Sequence, residues 1–388
     1  MNALPTYVPR LTPVAPERFT RTVRFGILST DTSPMCGTAK FSASLSGALS
    51  AHGSEAGVIW VADGQPSPSN QLIGEPVNGP ASSVAACKDL LSEVDVAVIQ
   101  HVHGLRGDLV VDIAEGLRVP SIVIADTIPK DPTSHQRSVL EAIAAMADQV
   151  VVMSEAALQR LCLTYAVDRR KVTTIPHGAT VPSVPHVKRP SRPTILTWGM
   201  LRPGKGIERV IDVMPSLADA AGRPQYLVAG PTDPNVLAAD GEAYREARTE
   251  QARRSGVADS VKFDPGYYDG PMLAALIQQS SVVVLPYDST EQVTSGVLVE
   301  AIANGRPVVA TAFPHAAELL SGGAGIVVDH DDPAALASAL RQIVTQPRLA
   351  GSMAAEARRR APEMAWSVVA NAYLGLADRV LAERRRRV

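Results

Sequence analysis

Residues 194–220 read TILTWGMLRPGKGIERVIDVMPSLADA, and this stretch decides the fold class. It begins with a run of β-forming residues at Thr194–Trp198 and continues through a glycine-rich loop. It ends in a segment with apolar residues at helical spacing, residues 207–220. A strand followed directly by a helix is the repeating unit of parallel α/β sheets. The stretch therefore predicts one strand–helix unit of a doubly wound domain.

The same alternation of apolar runs and amphipathic stretches extends over most of the chain. The apolar runs are nearly continuous, as expected for parallel strands that are covered by helices on both faces. Further predicted strands lie at residues 23–28, 58–61, 94–99, 121–124, 150–153, 172–175, 226–229, 261–263, 282–286, 307–310 and 325–328. Predicted helices include residues 138–147, 155–165, 207–220 and 334–345.

A proline-rich segment, VPSVPHVKRPSRP at residues 181–193, separates two alternating halves and indicates a linker. The fold class is therefore α/β, with two Rossmann-like doubly wound domains that face a central cleft. Ligands of such domains bind beyond the carboxyl ends of the strands, so we expect the site in that cleft. The predicted parts are an extended or disordered tail at 1–20, an N-terminal domain at 21–182, a linker at 183–193, a C-terminal domain at 194–361 and a final helical segment at 362–388.

Composition excludes several classes of protein. Over 388 residues, 37 Lys and Arg stand against 39 Asp and Glu, and this balance argues against a nucleic-acid partner. No apolar run approaches the ~18 residues of a membrane span, and the N-terminus does not resemble a secretory signal. Cys36, Cys87 and Cys162 lack metal-type or disulfide-type spacing and are predicted to be reduced thiols. We therefore expect a cytoplasmic protein.

The loop of residues 199–206, GMLRPGKG, has the features of an anion site. Its glycines allow a ligand to approach the backbone, and the N-terminus of the following helix favours negative charge. Arg202 and Lys205 add two positive charges, which suits a diphosphate. The alternative is a surface loop whose charges only improve solubility.

A second motif, TEQVTSGVLVEAIANGRPVVA at residues 290–310, follows a predicted strand. Thr294 or Ser295 can cap a helix there, which leaves the amides of Gly296 and Val297 free for phosphate oxygens. Glu300 lies about one and a half turns inside the helix, where a carboxylate could bind ribose hydroxyls. The alternative for Glu300 is an ordinary glutamate on a helix surface.

Together these motifs resemble those of the retaining glycosyltransferases of the GT-B fold, family 4 or group 1. The resemblance extends from about residue 23 to the C-terminus and is strongest at 195–328. It implies transfer of a hexose from a nucleoside diphosphate sugar, carrying UDP or GDP, to a sugar, lipid or small-molecule acceptor. It implies no metal and no other cofactor. The donor-binding residues that it implies are Gly37, Thr38, Arg202, Lys205, Gly230, Tyr267, Ser295, Gly296, Val297, Leu298 and Glu300.

The chain departs from the family pattern at two catalytic positions. Gln292 stands eight residues before Glu300, where the family has a glutamate, so either Glu291 or Gln292 would orient the sugar. Asp126 stands where many relatives place a histidine beside the reacting sugar, and His101 ends a neighbouring strand. The candidate catalytic residues are therefore Asp126, His101, Glu291 and Gln292. Two alternatives stay open. One is a non-catalytic nucleotide-sugar-binding relative, which these departures would explain, and the other is a sugar-nucleotide 2-epimerase on the same fold.

Two further features of the sequence concern a metal site and contact with a membrane. His101 and His103 lie two residues apart, but their spacing supplies no third ligand, so no metal site is predicted. The resemblance implies that the last helix, from near Trp366, crosses back to the N-terminal domain. Its basic end, residues 384–387, is predicted to be solvated, and the alternative is peripheral contact with anionic lipid.

Overall fold

The computed structural model describes residues 22–29, 36–62, 77–78, 80–101, 107–182 and 190–387. The predicted tail and most of the predicted linker lie outside these described residues, as does His103. The described chain forms two parallel sheets with helices on both sides of each. The predicted α/β fold with two Rossmann-like domains is thus confirmed.

The first domain is built on a seven-stranded parallel sheet. Its strand order, β3-β2-β1-β4-β5-β6-β7, reverses direction beside β1, as in doubly wound folds. The strands are β1 (Arg24–Ser29), β2 (Glu55–Ala62), β3 (Val77–Asn78), β4 (Val96–His101), β5 (Ser121–Ala125), β6 (Gln149–Val152) and β7 (Val172–Thr174). The helices are α1 (Gly37–Ala51), α2 (Pro80–Ser92), α3 (Gly107–Ala114), α4 (Ser134–Met146) and α5 (Glu155–Thr164).

The second domain has a six-stranded parallel sheet in the order β10-β9-β8-β11-β12-β13. Its strands are β8 (Thr194–Trp198), β9 (Gln225–Ala229), β10 (Val261–Asp264), β11 (Val282–Leu285), β12 (Val308–Thr311) and β13 (Gly325–Val328). Its helices are α6 (Ile207–Val213), α7 (Pro234–Asp240), α8 (Ala243–Arg254), α9 (Gly270–Gln279), α10 (Gly296–Ala303), α11 (Pro314–Leu320), α12 (Pro333–Thr345) and α13 (Pro347–Arg360). A last helix, α14 (Trp366–Arg387), follows α13 after a short 3-10 turn.

The helix predicted at residues 207–220 is shorter in the structure. It is α-helical only to Val213 and continues as a 3-10 turn, Met214–Leu217. Pro215 lies in that turn, and proline lacks the N–H that would continue the α-helical hydrogen-bond pattern. The predicted helix was too long because the prediction used the apolar periodicity and did not take Pro215 into account.

Each sheet is buried on both faces, which explains the continuous apolar runs. In β1, Ile27 packs on the side of α1, whereas Leu28 packs on the side of α2 to α4. Successive side chains of a strand point to opposite faces, so both must be apolar when both faces are covered. The sequence pattern and the packing agree.

Helix α14 returns from the second domain and packs on the first. Its Val369, Tyr373 and Leu376 belong to the same buried cluster as Phe41 and Leu45 of α1. Farther along, the Arg384 guanidinium lies 3.0 Å from the Asp148 carboxylate of the first domain. The two domains are therefore joined by a second chain crossing besides the linker.

The start of this crossing depends on Gly178. A Cβ atom there would lie 2.3 Å from the Trp366 ring, and Ala179 pairs with Ala365 in an isolated parallel bridge. We expect Gly178→Ala to lower the free energy of unfolding by about 1–3 kcal/mol, because the added methyl group displaces the ring. Urea denaturation measures this change. Gly351→Ala, on the exposed side of α13 with open space around it, is the matched control and should be neutral or stabilise by up to about 1 kcal/mol. Equal effects of the two substitutions would contradict this account.

Candidate functional site

Two glycine loops meet where β8 and β9 end. Gly199 and Gly230 follow these adjacent strands with φ angles of 117° and 135°, a region that favours glycine. A Cβ atom on Gly230 would lie 2.1 Å from the Gly199 carbonyl oxygen. The Gly230 amide donates to the Asp264 carbonyl at the end of β10. Gly230 therefore brings three strand ends together at one edge of the sheet.

The first predicted phosphate motif is joined to the second through Gly206. This residue has a φ angle of 65°, and a Cβ atom there would lie 1.7 Å from the Pro286 carbonyl oxygen. The Asp288 amide also donates to the Gly204 carbonyl at 3.1 Å. Because Pro286 directly follows β11, the lysine-containing loop lies against the segment that leads to α10. The first motif therefore contacts the segment that directly precedes the second.

Lys205 and Arg202 supply positive charge to this region. The Lys205 ammonium lies 4.6 Å from the centroid of the Tyr287 ring. Burial and, to a lesser degree, the Arg202 charge lower the pKa of Lys205 to about 8, while Asp233 opposes that shift. Arg202 is exposed, and its Nε lies 4.0 Å from the Asp233 carboxylate. Because burial disfavours its charged form, this ammonium gains stabilisation when an anion binds beside it.

The start of α10 is held by a residue that the sequence analysis did not identify, His315. The Ser295 amide donates to His315 Nδ1 at 2.9 Å, and the His315 amide donates to the Gln292 carbonyl at 3.2 Å. Burial lowers the pKa of His315 to about 3, so its ring is neutral and Nδ1 can accept. Ser295 in turn caps α10 by accepting from the Leu298 amide at 3.2 Å. Of the two caps considered, Ser295 is the one that is used.

The first domain contacts this helix start through His177. A Cβ atom on Gly296 would lie 2.8 Å from His177 Nε2, so only glycine fits there. His177 Nδ1 lies 2.7 Å from the Gly178 carbonyl, and a carbonyl only accepts, so Nδ1 carries the proton. Burial lowers the pKa of His177 to about 4, and the nearby Lys40 charge adds to this effect. The N-terminus of α10 therefore lies at the boundary between the domains.

Glu300 faces this boundary rather than bulk solvent. Two groups of the first domain, the Lys40 charge and the Thr180 backbone, are near enough to influence the pKa of its carboxyl group. Burial raises the pKa of Glu300 to about 7, although the Lys40 charge opposes this shift. This environment does not fit an ordinary glutamate on a helix surface. Its role toward ribose stays a prediction.

Glu291 and Gln292 are both hydrogen-bonded within the protein. The Gln292 amide nitrogen donates to the Thr294 carbonyl at 2.8 Å, and the Lys130 amide donates to the Glu291 carboxylate at 3.4 Å. Arg160 of α5 donates to the Glu291 carbonyl and also to the Ile128 carbonyl. The loop thus directs both side chains toward protein partners, and a role in orienting the sugar stays a prediction for each.

Val293 fastens this loop to the first domain. Its side chain is 3% exposed and belongs to the core cluster beneath α2 to α5 of the first domain. The Ser154 hydroxyl donates to the Val293 carbonyl at 2.6 Å. Nearby, the Glu318 carboxylate of α11 accepts from the Glu155 and Ala156 amides at the start of α5. The loop before α10 is therefore part of the contact between the domains.

The candidate catalytic residues of the first domain end adjacent strands. His101 closes β4 and is paired in register with Ala125 at the end of β5. Asp126 follows, and its amide donates to the His101 carbonyl at 3.3 Å. Burial raises the pKa of Asp126 to about 6, so its carboxyl group titrates close to neutral pH. The structure therefore brings His101 and Asp126 together at the carboxyl edge of the first sheet.

The remaining predicted donor-binding residues lie at the start of α1, in the loop after β10 and in the first turn of α10. Gly37 and Thr38 open α1, where Gly37 is exposed and Thr38 is half-buried. Tyr267 follows β10 and is 48% exposed. Its loop is fixed by Asp264, which accepts from the Gly266 amide at 2.8 Å. Val297 lies half-buried in the first turn of α10, whereas Leu298 is fully buried.

Among the described residues, no group of three or more His, Cys, Asp or Glu side chains could hold a metal ion. In that same part of the chain, none of the helices combines the length and apolar character needed to cross a membrane.

Comparisons with known proteins show what the second domain resembles in sequence and what the whole chain resembles in fold. Residues 192–346 match the family model of the "Glycosyl transferases group 1". A D-inositol 3-phosphate glycosyltransferase of Streptomyces avermitilis is 26% identical over 292 residues, covering 70% of this chain and 60% of the relative. The chain matches less than two thirds of the length of such curated relatives.

Solved structures resemble nearly the whole chain. The sucrose-phosphate synthase of Thermosynechococcus elongatus has a TM-score of 0.77 at 19% identity, covering 94% of this chain and 100% of that one. The Anabaena protein Alr3699/HepE, in complex with UDP and glucose, has a TM-score of 0.74 at 18% identity, covering 92% and 99%. At such identities the similarity shows the fold, which is GT-B.

The environment of Glu300 predicts a measurable effect of pH on stability. Its pKa rises from 4.5 to about 7 on folding, so the folded state holds the proton more tightly and stability falls between these pH values. We expect Glu300→Gln to remove this loss and to be more stable than the wild type by about 1–3 kcal/mol at pH 8. Urea denaturation at pH 4.5 and pH 8 measures the difference. Glu246→Gln, at an exposed position of α8, is the control and should follow the wild type. A Glu300→Gln variant with the same pH dependence as the wild type would contradict the assigned environment.

Proposed function

Because its second domain matches the glycosyl transferases group 1 and its fold is GT-B, we propose that the protein transfers a hexose from a nucleoside diphosphate sugar to an acceptor. The donor binds the second domain and the acceptor approaches from the first. The anomeric configuration of the sugar is retained. UDP is the first candidate for the donor nucleotide, since the similar Anabaena structure contains UDP, and GDP is the second.

One observation carries this proposal, namely the contact between the lysine loop and the segment that leads to the second phosphate motif. Gly206 packs against the Pro286 carbonyl, so Lys205 lies beside the segment that leads into α10. When the bond between the anomeric carbon and the β-phosphate oxygen breaks, the nucleoside diphosphate leaves with the electron pair and negative charge develops on the β-phosphate. Lys205, Arg202 and the amides of Gly296 and Val297 stabilise that charge by electrostatics. In this scheme protein cations neutralise the diphosphate, and no metal ion is needed.

The acceptor side is proposed at the carboxyl edge of the first sheet. Asp126 and His101 lie together there, and the raised pKa of Asp126, about 6, suits a group that exchanges a proton near neutral pH. We propose that Asp126 takes the place of the family histidine beside the reacting sugar. The name of the Streptomyces relative makes a phosphorylated polyol the first acceptor to test.

The hydrogen bond of the Gln292 side chain within its own loop favours a second candidate function, nucleotide-sugar binding without transfer. Its amide is engaged with the Thr294 carbonyl, and Glu291 is engaged with Lys130. If neither side chain reaches the sugar, the donor would be bound but not oriented for reaction. Binding without turnover on any acceptor would favour this candidate.

The donor site predicts a defined loss of affinity. We expect Lys205→Ala to weaken binding of UDP and of inorganic pyrophosphate by about 30- to 1000-fold at pH 7, because a charge-assisted contact to the diphosphate is lost. Isothermal titration calorimetry measures both ligands. Lys262→Ala, at an exposed position of β10, is the matched control and should bind like the wild type. Unchanged affinity of Lys205→Ala would count against the site.

The reaction itself is tested with sugar donors. We expect the protein to consume UDP-glucose or a GDP-hexose in the presence of a suitable acceptor, and to form a glycoside with the anomeric configuration of the donor. Proton NMR of the product reads this configuration from the coupling of the anomeric proton. An inverted product would overturn the retaining mechanism. Conversion of the donor sugar with no acceptor product would instead indicate an epimerase.

A further inference from the structure

We propose that Tyr287 is a positioning residue, which holds the Lys205 ammonium over its aromatic face so that the ammonium hydrogens stay available to the leaving diphosphate. This inference rests on the diphosphate site proposed above. It assigns to Tyr287 a role in binding geometry rather than direct contact with the substrate.

The Tyr287 ring is held firmly in place. The side chain is 2% exposed, and its ring stacks on Phe313 with centroids 5.5 Å apart and an interplanar angle of 23°. The Thr311 hydroxyl donates to the Tyr287 carbonyl at 2.8 Å. Thr311 ends β12 and Phe313 follows it closely, so the neighbouring strand end fixes the ring from one side. The Lys205 ammonium lies 4.6 Å from the centroid of this ring and is the cation that interacts with it.

An aromatic face suits this position better than a carboxylate would. The ring attracts the ammonium through its quadrupole but accepts none of its hydrogen bonds, so the three N–H groups stay directed to a ligand. The other charges that face Lys205 are Arg202 and Asp233, and the latter lies beside the Arg202 guanidinium. A carboxylate in place of the ring would neutralise Lys205 and compete with the diphosphate.

Tyr287 also lies between the two halves of the proposed site. Its ring contacts Lys205 of the β8–α6 loop. Its hydroxyl is buried without a hydrogen-bond partner among the described residues, and the Ser295 side chain is near enough to affect its pKa. Burial raises the pKa of the Tyr287 hydroxyl, so it stays neutral and adds no charge that would repel a phosphate. One side chain therefore lies beside the lysine and near the residue that caps α10.

The experiment varies the ring electrostatics at nearly constant shape. Tyr287 is replaced by Phe, by mono-, di- and trifluorinated phenylalanines, and by Leu, and the affinity for UDP and for inorganic pyrophosphate is measured by calorimetry. We expect Tyr287→Phe to bind within about threefold of the wild type. Affinity should fall stepwise with each fluorine, to about 3- to 30-fold weaker for the trifluoro ring and for Leu. A series that does not depend on fluorination would overturn the proposal.

Two further readouts separate this role from simple packing. In a Lys205→Met background, Tyr287→Leu should cause no additional loss of UDP affinity, since the cation is absent. UDP binding by the wild type should weaken as the pH rises through about 8, where Lys205 loses its proton, and Tyr287→Leu should move this transition to lower pH. A transition that stays in place would contradict the proposal.

The outcome also distinguishes this inference from the proposed function. If Lys205→Met leaves UDP and pyrophosphate affinity unchanged, the donor site itself is wrong. If Lys205→Met weakens binding but the fluorinated series is flat, the donor site stands and only the role of Tyr287 is overturned. Should Tyr287→Leu fail to fold, the nearly isosteric fluorinated series still decides the question.

Discussion

The close approach of Gly206 to the Pro286 carbonyl is the constraint on which the candidate site depends. A Cβ atom on Gly206 would lie 1.7 Å from that oxygen, so no other residue type allows the loop after β8 to reach the end of β11. This contact places Lys205 beside Tyr287, on the segment that leads into α10. The proposed joint action of the cationic loop and the helix amides depends on this contact between two strand ends.

The loop between β11 and α10 connects this site to the other domain. It is held within its own domain by His315 and held to the first domain by Val293, Ser154 and Arg160. The position of the helix start is therefore coupled to the arrangement of the two domains. Two charged side chains of the candidate site lower the stability of the folded protein, because burial disfavours the charged forms of Lys205 and Glu300. Such costs are typical of functional sites.

Much of this could be predicted from the sequence, for reasons that are local. Continuous apolar runs alternating with helical segments determined the α/β class, and Lys205 among glycines indicated a candidate anion site, which stays a prediction. His315, Tyr287 and Val293 could not be found in this way, because their contacts are made with residues of other elements. The predicted length of α6 was wrong because apolar periodicity was given more weight than Pro215. The roles of Gln292 and Glu291 depended on side-chain direction, which spacing does not determine.

The most direct measurement of the central claim is a crystal structure of the protein with UDP bound. The account predicts β-phosphate oxygens within hydrogen-bond distance of Lys205 Nζ and of the Gly296 and Val297 amides, with the ribose hydroxyls at Glu300. A UDP molecule bound elsewhere, or one whose diphosphate points away from Lys205 and α10, would contradict the account.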